Sequence, residues 1–399
     1  MMNTAETATD PAVAYRDDKR HWWWLPLFVA VSPVLGIYLT SVTGHEVWLW
    51  ITAILWYVVL PIADWLVGRD TRNPPDSAVP TLESDGYYRF LVYASIPLFF
   101  LTWIVSVWAV ATQGYSWVGY LGVSLGVALT NGLALVVGHE VGHKTSRFEK
   151  RLAQIVLAVP AYGHFSAEHN RGHHKDVATP DDPASSRFGE SLYSFVLREI
   201  PGALGRAWND EKLRLARAGK PVWSASNELL QSFAITAVLY GTALVLLGPI
   251  IIPFLLISTF WGWQFLSTSN YIEHYGLLRQ KLADGRFERC RPEHSWNADH
   301  VISNLMLYHL QRHSDHHARP TRRYQALRSD KAPELPSGYP LCFTLAYFPP
   351  LWRAVMDPKV LEVYGGDITR VNIQPSRRAE ILARYGVNAG AESKGEADT

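Results

Sequence analysis

Three long apolar stretches without a single lysine or arginine dominate this chain and limit what it can fold into. They run over residues 21–68, 90–143 and 221–278. A helix needs about 20 apolar residues to cross a bilayer, so each stretch has room for two crossing helices and a short turn. The pattern therefore predicts an all-α integral membrane protein with six transmembrane helices in three hairpins.

The distribution of basic residues predicts how these helices are oriented. The six predicted spans are about 22–40, 46–68, 88–111, 117–138, 228–247 and 250–270. The turns inside the hairpins carry no Lys or Arg, and every basic residue lies on the other side. Cytoplasmic loops are enriched in Lys and Arg, so both termini and the two large segments 139–227 and 271–387 are predicted to be cytoplasmic.

The same pattern predicts the domain organisation. Residues 1–21 form a cytoplasmic N-terminal segment, residues 22–387 a single membrane-embedded domain, and the small polar residues 388–399 a disordered tail. The apolar segment 339–356 is interrupted by prolines. We expect it to lie at the membrane interface or to pack on the cytoplasmic part rather than to span.

Composition excludes several functional classes. Lys and Arg total 37 against 36 Asp and Glu, and this balance argues against a nucleic-acid-binding protein, which would be more basic. The two cysteines, Cys290 and Cys342, are far apart. A disulfide framework, a cysteine-ligated zinc site and an iron–sulfur cluster therefore lack their ligands. No pair of spans shows the broken-helix, inverted-repeat pattern of a transporter.

Nine of the 15 histidines lie in four short clusters at the predicted cytoplasmic ends of spans or in cytoplasmic segments. The clusters are HEVGHK with His139 and His143, EHNRGHH with His169, His173 and His174, NYIEHYG with His274, and QRHSDHH with His313, His316 and His317. On a helix, spacings of three and four residues place side chains on one face. A tetrahedral zinc site takes four ligands, so nine histidines predict two metal ions with four or five nitrogens each. Imidazole binds zinc, copper, iron and nickel, so the ligand type does not select the metal.

One cluster also has an alternative interpretation. HEVGH matches the HExxH signature of zinc metalloproteases, with Glu140 as general base. An intramembrane zinc protease would use His139, His143 and one further ligand, and it would leave the other clusters unexplained. The soluble di-iron carboxylate architecture needs two Glu-x-x-His motifs, and Glu140–His143 alone has that spacing.

Four segments carry a resemblance to a known family. They are HEVGHK, EHNRGHHKDVATPDDPASSR, NYIEHYGLLRQ and LQRHSDHHARPTRRYQ. Together they resemble the membrane-bound alkane hydroxylases, or alkane 1-monooxygenases. The histidine boxes are shared with the wider family of integral-membrane desaturases and hydroxylases, whereas NYIEHYG and the HSDHH form of the last box point to the alkane branch. The resemblance runs from about Trp22 to about Asp367.

The resemblance implies a fold, a cofactor and a reaction. The fold is six membrane helices with a cytoplasmic histidine-rich helical cap, in the inner membrane of a bacterium. The cofactor is two non-haem iron ions, and the implied ligands are His139, His143, His169, His173, His174, His274, His313, His316 and His317. One atom of O2 enters the terminal methyl of a medium-chain n-alkane, which gives a 1-alkanol and water. A related histidine-box fatty-acyl desaturase or aromatic-methyl hydroxylase is the alternative.

The resemblance also implies an electron donor. Rubredoxin, reduced by a rubredoxin reductase and NADH, supplies two electrons, and it must be a separate protein because this chain lacks the four cysteines of a rubredoxin iron site. Two basic clusters are candidate docking sites for such an acidic partner. They are Arg147, Lys150 and Arg151, and Arg319, Arg322 and Arg323. Basic residues near the membrane are also expected from topology and anionic lipid alone.

Other residues near the histidines are candidates for supporting roles. The four acidic ones are Glu140, Glu168, Glu273 and Asp315, each next to a predicted ligand. Carboxylates commonly accept the free ring N–H of a ligating histidine, and we expect this role for at least two of them. Trp56 lies near the middle of the second span, where Trp is unusual. It is a candidate for the floor of a substrate pocket, with ordinary helix packing as the alternative. The resemblance does not place His309 among the ligands, and we expect it either to support a ligand from outside the ligand set or to be structural.

Overall fold

The computed structural model describes residues 15–329 and 331–387, and the regular structure of these residues is helical. The main helices are α1 (Leu25–Ala30), α2 (Ser32–Thr43), α3 (Glu46–Val67), α4 (Gly86–Thr112), α5 (Trp117–Gly142), α6 (Arg147–Val156), α7 (Leu192–Arg217), α8 (Glu228–Leu247), α9 (Pro249–His274), α10 (Tyr339–Ala346) and α11 (Pro349–Val363). In these two described ranges the chain forms no β-strand. The predicted tail, 388–399, lies outside them.

Five of the helices, α3, α4, α5, α8 and α9, are long and apolar enough to cross a membrane. The sixth predicted span, 22–40, is instead two helices, α1 and α2, which meet at an angle of 57°. Pro33 lies in the first turn of α2, where its missing N–H and fixed ring end the preceding helix. The prediction of an all-α, multi-pass membrane protein is confirmed, and the count of six applies if the bent pair crosses as one unit.

The ends of two helices differ from the predicted boundaries in a way that matters for the site. α5 continues to Gly142 rather than ending at 138, and α9 continues to His274 rather than ending at 270. Both helices therefore carry histidines in their last turn. α4 begins at Gly86 rather than 88, because the side chain of Asp85 accepts a hydrogen bond from the N–H of Tyr87 at 2.8 Å.

α5 is the central helix of the bundle. In its most apolar window 83% of the residues are buried, against 22% in α3 and 17% in α8. The ring of Phe265 from α9 packs directly against Gly132 of α5, where a Cβ atom would collide with it. The exposed apolar side chains of α3 and α8 are those expected of helices that face lipid.

The remaining described segments form a cap over the histidine-bearing ends of α5 and α9. Its short helices are Phe165–Glu168, the π-helical turn His169–His173, Val301–Met306 and His313–Ala318. The proline-interrupted segment 339–356 does not span, because it forms the two shorter helices α10 and α11. Trp352 of α11 packs on Tyr271 and Tyr275, with ring centroids 5.5 and 5.6 Å apart, so this segment lies against the same end of α9.

Candidate metal centre

The nine clustered histidines come together from all four segments and divide into two groups. The five-histidine group consists of His139, His143, His169, His174 and His316, and the four-histidine group of His173, His274, His313 and His317. Within each group every residue offers a nitrogen within 4.8 Å of the others. Eight of the nine side chains are buried, and His174 is half-buried. The structure therefore brings together all the predicted ligand candidates.

The five-histidine group is assembled from α5, the π-helical turn and the short helix that begins at His313. His139 and His143 lie one turn apart at the end of α5, with ring centroids 4.8 Å apart. The π-helical turn has a wider spacing than an α-helix. It pairs His169 with His174, whose Nε2 atoms are 3.1 Å apart, and leaves His173 to the other group.

The four-histidine group joins the end of α9 to the same short helix. Nε2 of His313 lies 3.3 Å from Nε2 of His274 and 2.9 Å from Nε2 of His317. His316 of this helix points the other way, and its Nε2 lies 3.1 Å from that of His174 in the five-histidine group. One short helix therefore supplies ligand candidates to both groups.

The nitrogen atoms are arranged as metal ligands would be. The Nε2 atoms of His139, His143 and His173 are buried and have no hydrogen-bond partner. Metal–nitrogen bonds are about 2.0–2.1 Å, so neighbouring ligand nitrogens lie about 3 Å apart. Burial, together with the charge of neighbouring histidines, lowers the pKa of His169, His174 and His316. A lowered pKa favours the neutral ring, which is the form that binds metal.

A small cavity of about 10 Å³ between α5 and α9 touches both groups. It is lined by the apolar residues Leu135, Val136, Phe165, Leu266 and Leu310, the polar residues Ser269, Asn270 and Glu273, and the histidines His139, His169 and His313. The wall away from the histidines is apolar on both helices. Apolar side chains therefore lie directly beside the histidine nitrogens, around a space that holds about one water molecule.

Comparison with known proteins places the chain in a family. A family model described as fatty acid desaturase matches residues 115–346. Alkane 1-monooxygenase 1 of Alcanivorax borkumensis is 51% identical over 95% of this chain and 94% of that protein. Alkane 1-monooxygenase of Pseudomonas putida is 49% identical over 98% of both chains. The chain belongs to the alkane 1-monooxygenase family. It is accordingly an enzyme, an oxidoreductase.

A more distant relative is the hydroxylase component of a xylene/toluene monooxygenase from Pseudomonas putida. It is 29% identical over 59% of this chain and 63% of that protein. The matched desaturase region, residues 115–346, contains all four histidine clusters.

Asp182 orients a histidine ring in this alkane 1-monooxygenase homologue, and the sequence reasoning did not single it out. Its carboxylate is fully buried and lies 2.9 Å from Nδ1 of His173. It also accepts hydrogen bonds from Ser185 at 2.7 Å and from Arg206 at 2.7 Å. Burial opposes its ionisation, but His173 and Arg206 hold the pKa of Asp182 well below its usual value. The one available signal was the pair of aspartates in the quoted EHNRGHHKDVATPDDPASSR segment.

Three of the four predicted acidic residues lie against basic side chains. The pairs are Glu140 with Lys144, Glu168 with Arg206, and Asp315 with Arg319 and Arg322. The Glu168–Arg206 pair connects to Asp182 and thus indirectly to His173. A ring-orienting role for these three acids stays a prediction.

Glu273 is the predicted acid that reaches the histidine nitrogens. Its Oε2 lies 3.3 Å from Nε2 of His313, and its Oε1 accepts a hydrogen bond from the hydroxyl of Tyr339 at 2.8 Å. Glu273 also lines the cavity. A carboxylate oxygen therefore faces the space that the four-histidine group surrounds.

Trp56 and His309 both pack against aromatic residues, in different places. Trp56 is 4% exposed, and its ring lies 4.9 Å from that of Phe265, beside the cavity-lining Leu266. His309 belongs to neither histidine group. Its Nδ1 lies 3.0 Å from the carbonyl oxygen of Tyr324, and its ring packs edge-on against Trp23. His309 therefore lies outside both sets of ligand candidates.

Proposed function

We propose that this enzyme hydroxylates the terminal methyl of medium-chain n-alkanes. The observation that carries the proposal is that apolar side chains of α5 and α9 lie directly beside both histidine groups. The reaction consumes the alkane, O2, two electrons and two protons, and yields a 1-alkanol and water. An alkane offers no group for acid–base chemistry, so the reaction needs a redox-active metal.

The cofactor in this proposal is two non-haem iron ions, one for each histidine group. His139, His143, His169, His174 and His316 hold one ion, and His173, His274, His313 and His317 hold the other. When bound, the iron supplies the activation of O2. Imidazole alone also suits other metals. The choice of iron therefore rests on the family resemblance.

The protein's own residues bind the substrate and control its surroundings. Leu135, Val136 and Leu266 contact the alkane chain and keep water from the reacting methyl. Trp56 and Phe265 limit how far the chain extends along the bundle. Glu273 keeps one oxygen beside His313 and accepts a hydrogen bond from the Tyr339 hydroxyl at the other.

The electron donor in this proposal is a separate rubredoxin, itself reduced by a reductase and NADH. The two predicted docking clusters differ in their surroundings, because Arg322 and Arg323 are paired with Asp315 and Glu149. Arg147, Lys150 and Arg151 are exposed instead. They line a cleft that also reaches His143. This supports the first cluster as the site that an acidic electron carrier approaches.

The proposed orientation of the protein in the membrane agrees with an electron donor on the cytoplasmic side. Lys and Arg are absent from the turns between paired spans, which supports cytoplasmic termini and a cytoplasmic metal centre in a bacterial inner membrane. The alkane enters from the bilayer, and the electrons arrive from the aqueous side.

The alternatives have less support. Hydroxylation of an aromatic methyl rests on a relative at 29% identity, against 51% for an alkane 1-monooxygenase. A zinc protease at HEVGH requires Glu140 as general base. The carboxylate of Glu140 is instead paired with the buried ammonium group of Lys144 at 3.0 Å.

The test is turnover of dodecane by the purified protein with rubredoxin, its reductase and NADH under 18O2. We expect 1-dodecanol that carries one labelled oxygen. His316→Ala should abolish the product, whereas His45→Ala, in the exposed turn between α2 and α3, should not. Labelled water in place of labelled O2 as the oxygen source, or product from His316→Ala at the normal rate, would overturn the proposal.

A further inference from the structure

Four consecutive polar residues lie in the last turns of α9, and the binding of an apolar substrate does not explain why they are there. Ser267, Thr268, Ser269 and Asn270 follow one another in an otherwise apolar membrane helix, and all four are buried. Polar side chains inside a membrane are expensive and tend to be functional. Thr268 and Ser269 bond to carbonyl oxygens of their own helix, which satisfies them locally. Ser267 and Asn270 bond to another element.

That partner is Glu199 of α7. Glu199 is 2% exposed, and among the described residues it takes part in no ion pair. One carboxyl oxygen accepts from Oγ of Ser267 at 2.5 Å, and the other accepts from Nδ2 of Asn270 at 3.3 Å. Burial raises the pKa of Glu199 to about 7. A buried carboxyl without a basic partner is unfavourable, so its place against α9 needs a reason.

The reason is the orientation that it gives to Asn270. Because Nδ2 is bound to Glu199, the amide oxygen Oδ1 points elsewhere, and no hydrogen bond among the described residues uses it. Asn270 is 5% exposed, and it lines the cavity beside Glu273 and His313. Asn270 therefore brings an amide oxygen with no described hydrogen-bond partner to the lining of this small cavity, beside the histidines.

We propose that Oδ1 of Asn270, positioned by Glu199, accepts a hydrogen bond from the hydroxyl of the 1-alkanol product. This inference rests on the proposed alkane hydroxylation. An n-alkane has no donor for this oxygen, whereas the alcohol has one in the position that the hydroxylated carbon occupies. One hydrogen bond in a buried site corresponds to about five- to tenfold in affinity. The protein therefore binds a 1-alkanol more tightly than the alkane of the same length.

The experiment measures equilibrium binding of tritiated 1-dodecanol to the purified holoenzyme, with unlabelled 1-dodecanol and dodecane as competitors. Asn270→Leu should weaken 1-dodecanol binding about five- to tenfold and leave dodecane competition unchanged. Glu199→Leu should weaken it in the same direction, whereas Glu199→Gln, which keeps an acceptor for Asn270, should have little effect. Thr268→Val is the matched control, because its hydroxyl serves its own helix. Iron content checks that each variant keeps its metal centre.

Two results would overturn the inference, and they are distinguishable. If Asn270→Leu and Asn270→Ser, the smaller polar replacement, both bind 1-dodecanol as the wild type does, the amide is not the acceptor, although the alkane function stands. If neither dodecane nor 1-dodecanol binds to the wild type, the proposed alkane function fails and this inference fails with it.

Discussion

Replacing Asp182 by asparagine should weaken one metal site and spare the other. The Asp182 carboxylate lies 2.9 Å from Nδ1 of His173, a member of the four-histidine group. Its other oxygen accepts from Arg206 at 2.7 Å. An asparagine presents one NH2 group in place of an oxygen, so a donor would face either His173 or Arg206, which are themselves donors.

The size of the effect follows from the role of such partners. Loss of a residue that orients a metal-binding histidine typically reduces metal affinity about 10–100-fold. This corresponds to about 1.4–2.7 kcal/mol at one site. We expect Asp182→Asn near the upper end, because the substitution also removes a fully buried charge that pairs with Arg206.

The assay is iron retained per chain during titration with a chelator. Asp182→Asn should release one of two irons at about 10–100-fold lower chelator concentration than the wild type and keep the other. Asp176→Asn is the control, because its carboxylate lies 3.7 Å from the same Arg206 and is paired with no histidine among the described residues. The reasoning would be refuted if Asp182→Asn kept both irons at the wild-type midpoint, or lost both together.

Three further perturbations test other parts of the account. Trp56→Ser should shift the chain lengths that the enzyme hydroxylates towards longer alkanes. Trp103→Ser, which removes a ring stacked on Tyr240, should not. Identical chain-length profiles for Trp56→Ser and the wild type would contradict a role of Trp56 in limiting the substrate. Lys150→Glu should raise the KM for rubredoxin several-fold at low salt without changing the KM for dodecane. Lys220→Glu, at another exposed lysine, should change neither. Equal rubredoxin kinetics in both variants would exclude docking at the cluster of Arg147, Lys150 and Arg151. Burial raises the pKa of Glu199 from 4.5 to about 7. Between these two pH values the folded state holds a proton that the unfolded chain loses. The free energy of unfolding should therefore fall as pH rises from about 4.5 to 7, by up to about 1.4 kcal/mol per pH unit. Glu199→Gln should flatten this slope in detergent unfolding curves, and an unchanged slope would be evidence against the buried carboxyl.

The sequence was sufficient to predict the helices and to identify the histidines that meet, because both depend on local patterns. Apolar stretches without Lys or Arg predict spans, and histidines at turn spacing predict ligand clusters. The division between the groups was not predictable in this way. His169 and His173 are four residues apart, yet the π-helical turn sends them to different groups. Such a turn depends on packing across the cap rather than on the local residues.

The residues that the sequence reasoning missed act through contacts with residues that are not their neighbours in sequence. Asp182 reaches His173 through a loop, and Glu199 reaches Asn270 across 71 positions of the chain. Adjacency in sequence instead suggested Glu140, whose carboxylate is paired with Lys144. The bend between α1 and α2 was also missed, although Pro33 is visible in the sequence, because apolar length alone was used to place the first span.

The most direct test of the central claim is the metal content of the purified, detergent-solubilised protein. Two histidine groups with separate nitrogen sets predict two irons per chain. His316→Ala, in the five-histidine group, and His317→Ala, in the four-histidine group, should each reduce the content towards one. A single zinc ion per chain without iron, or one metal that both variants remove completely, would contradict a two-iron centre built from these nine histidines.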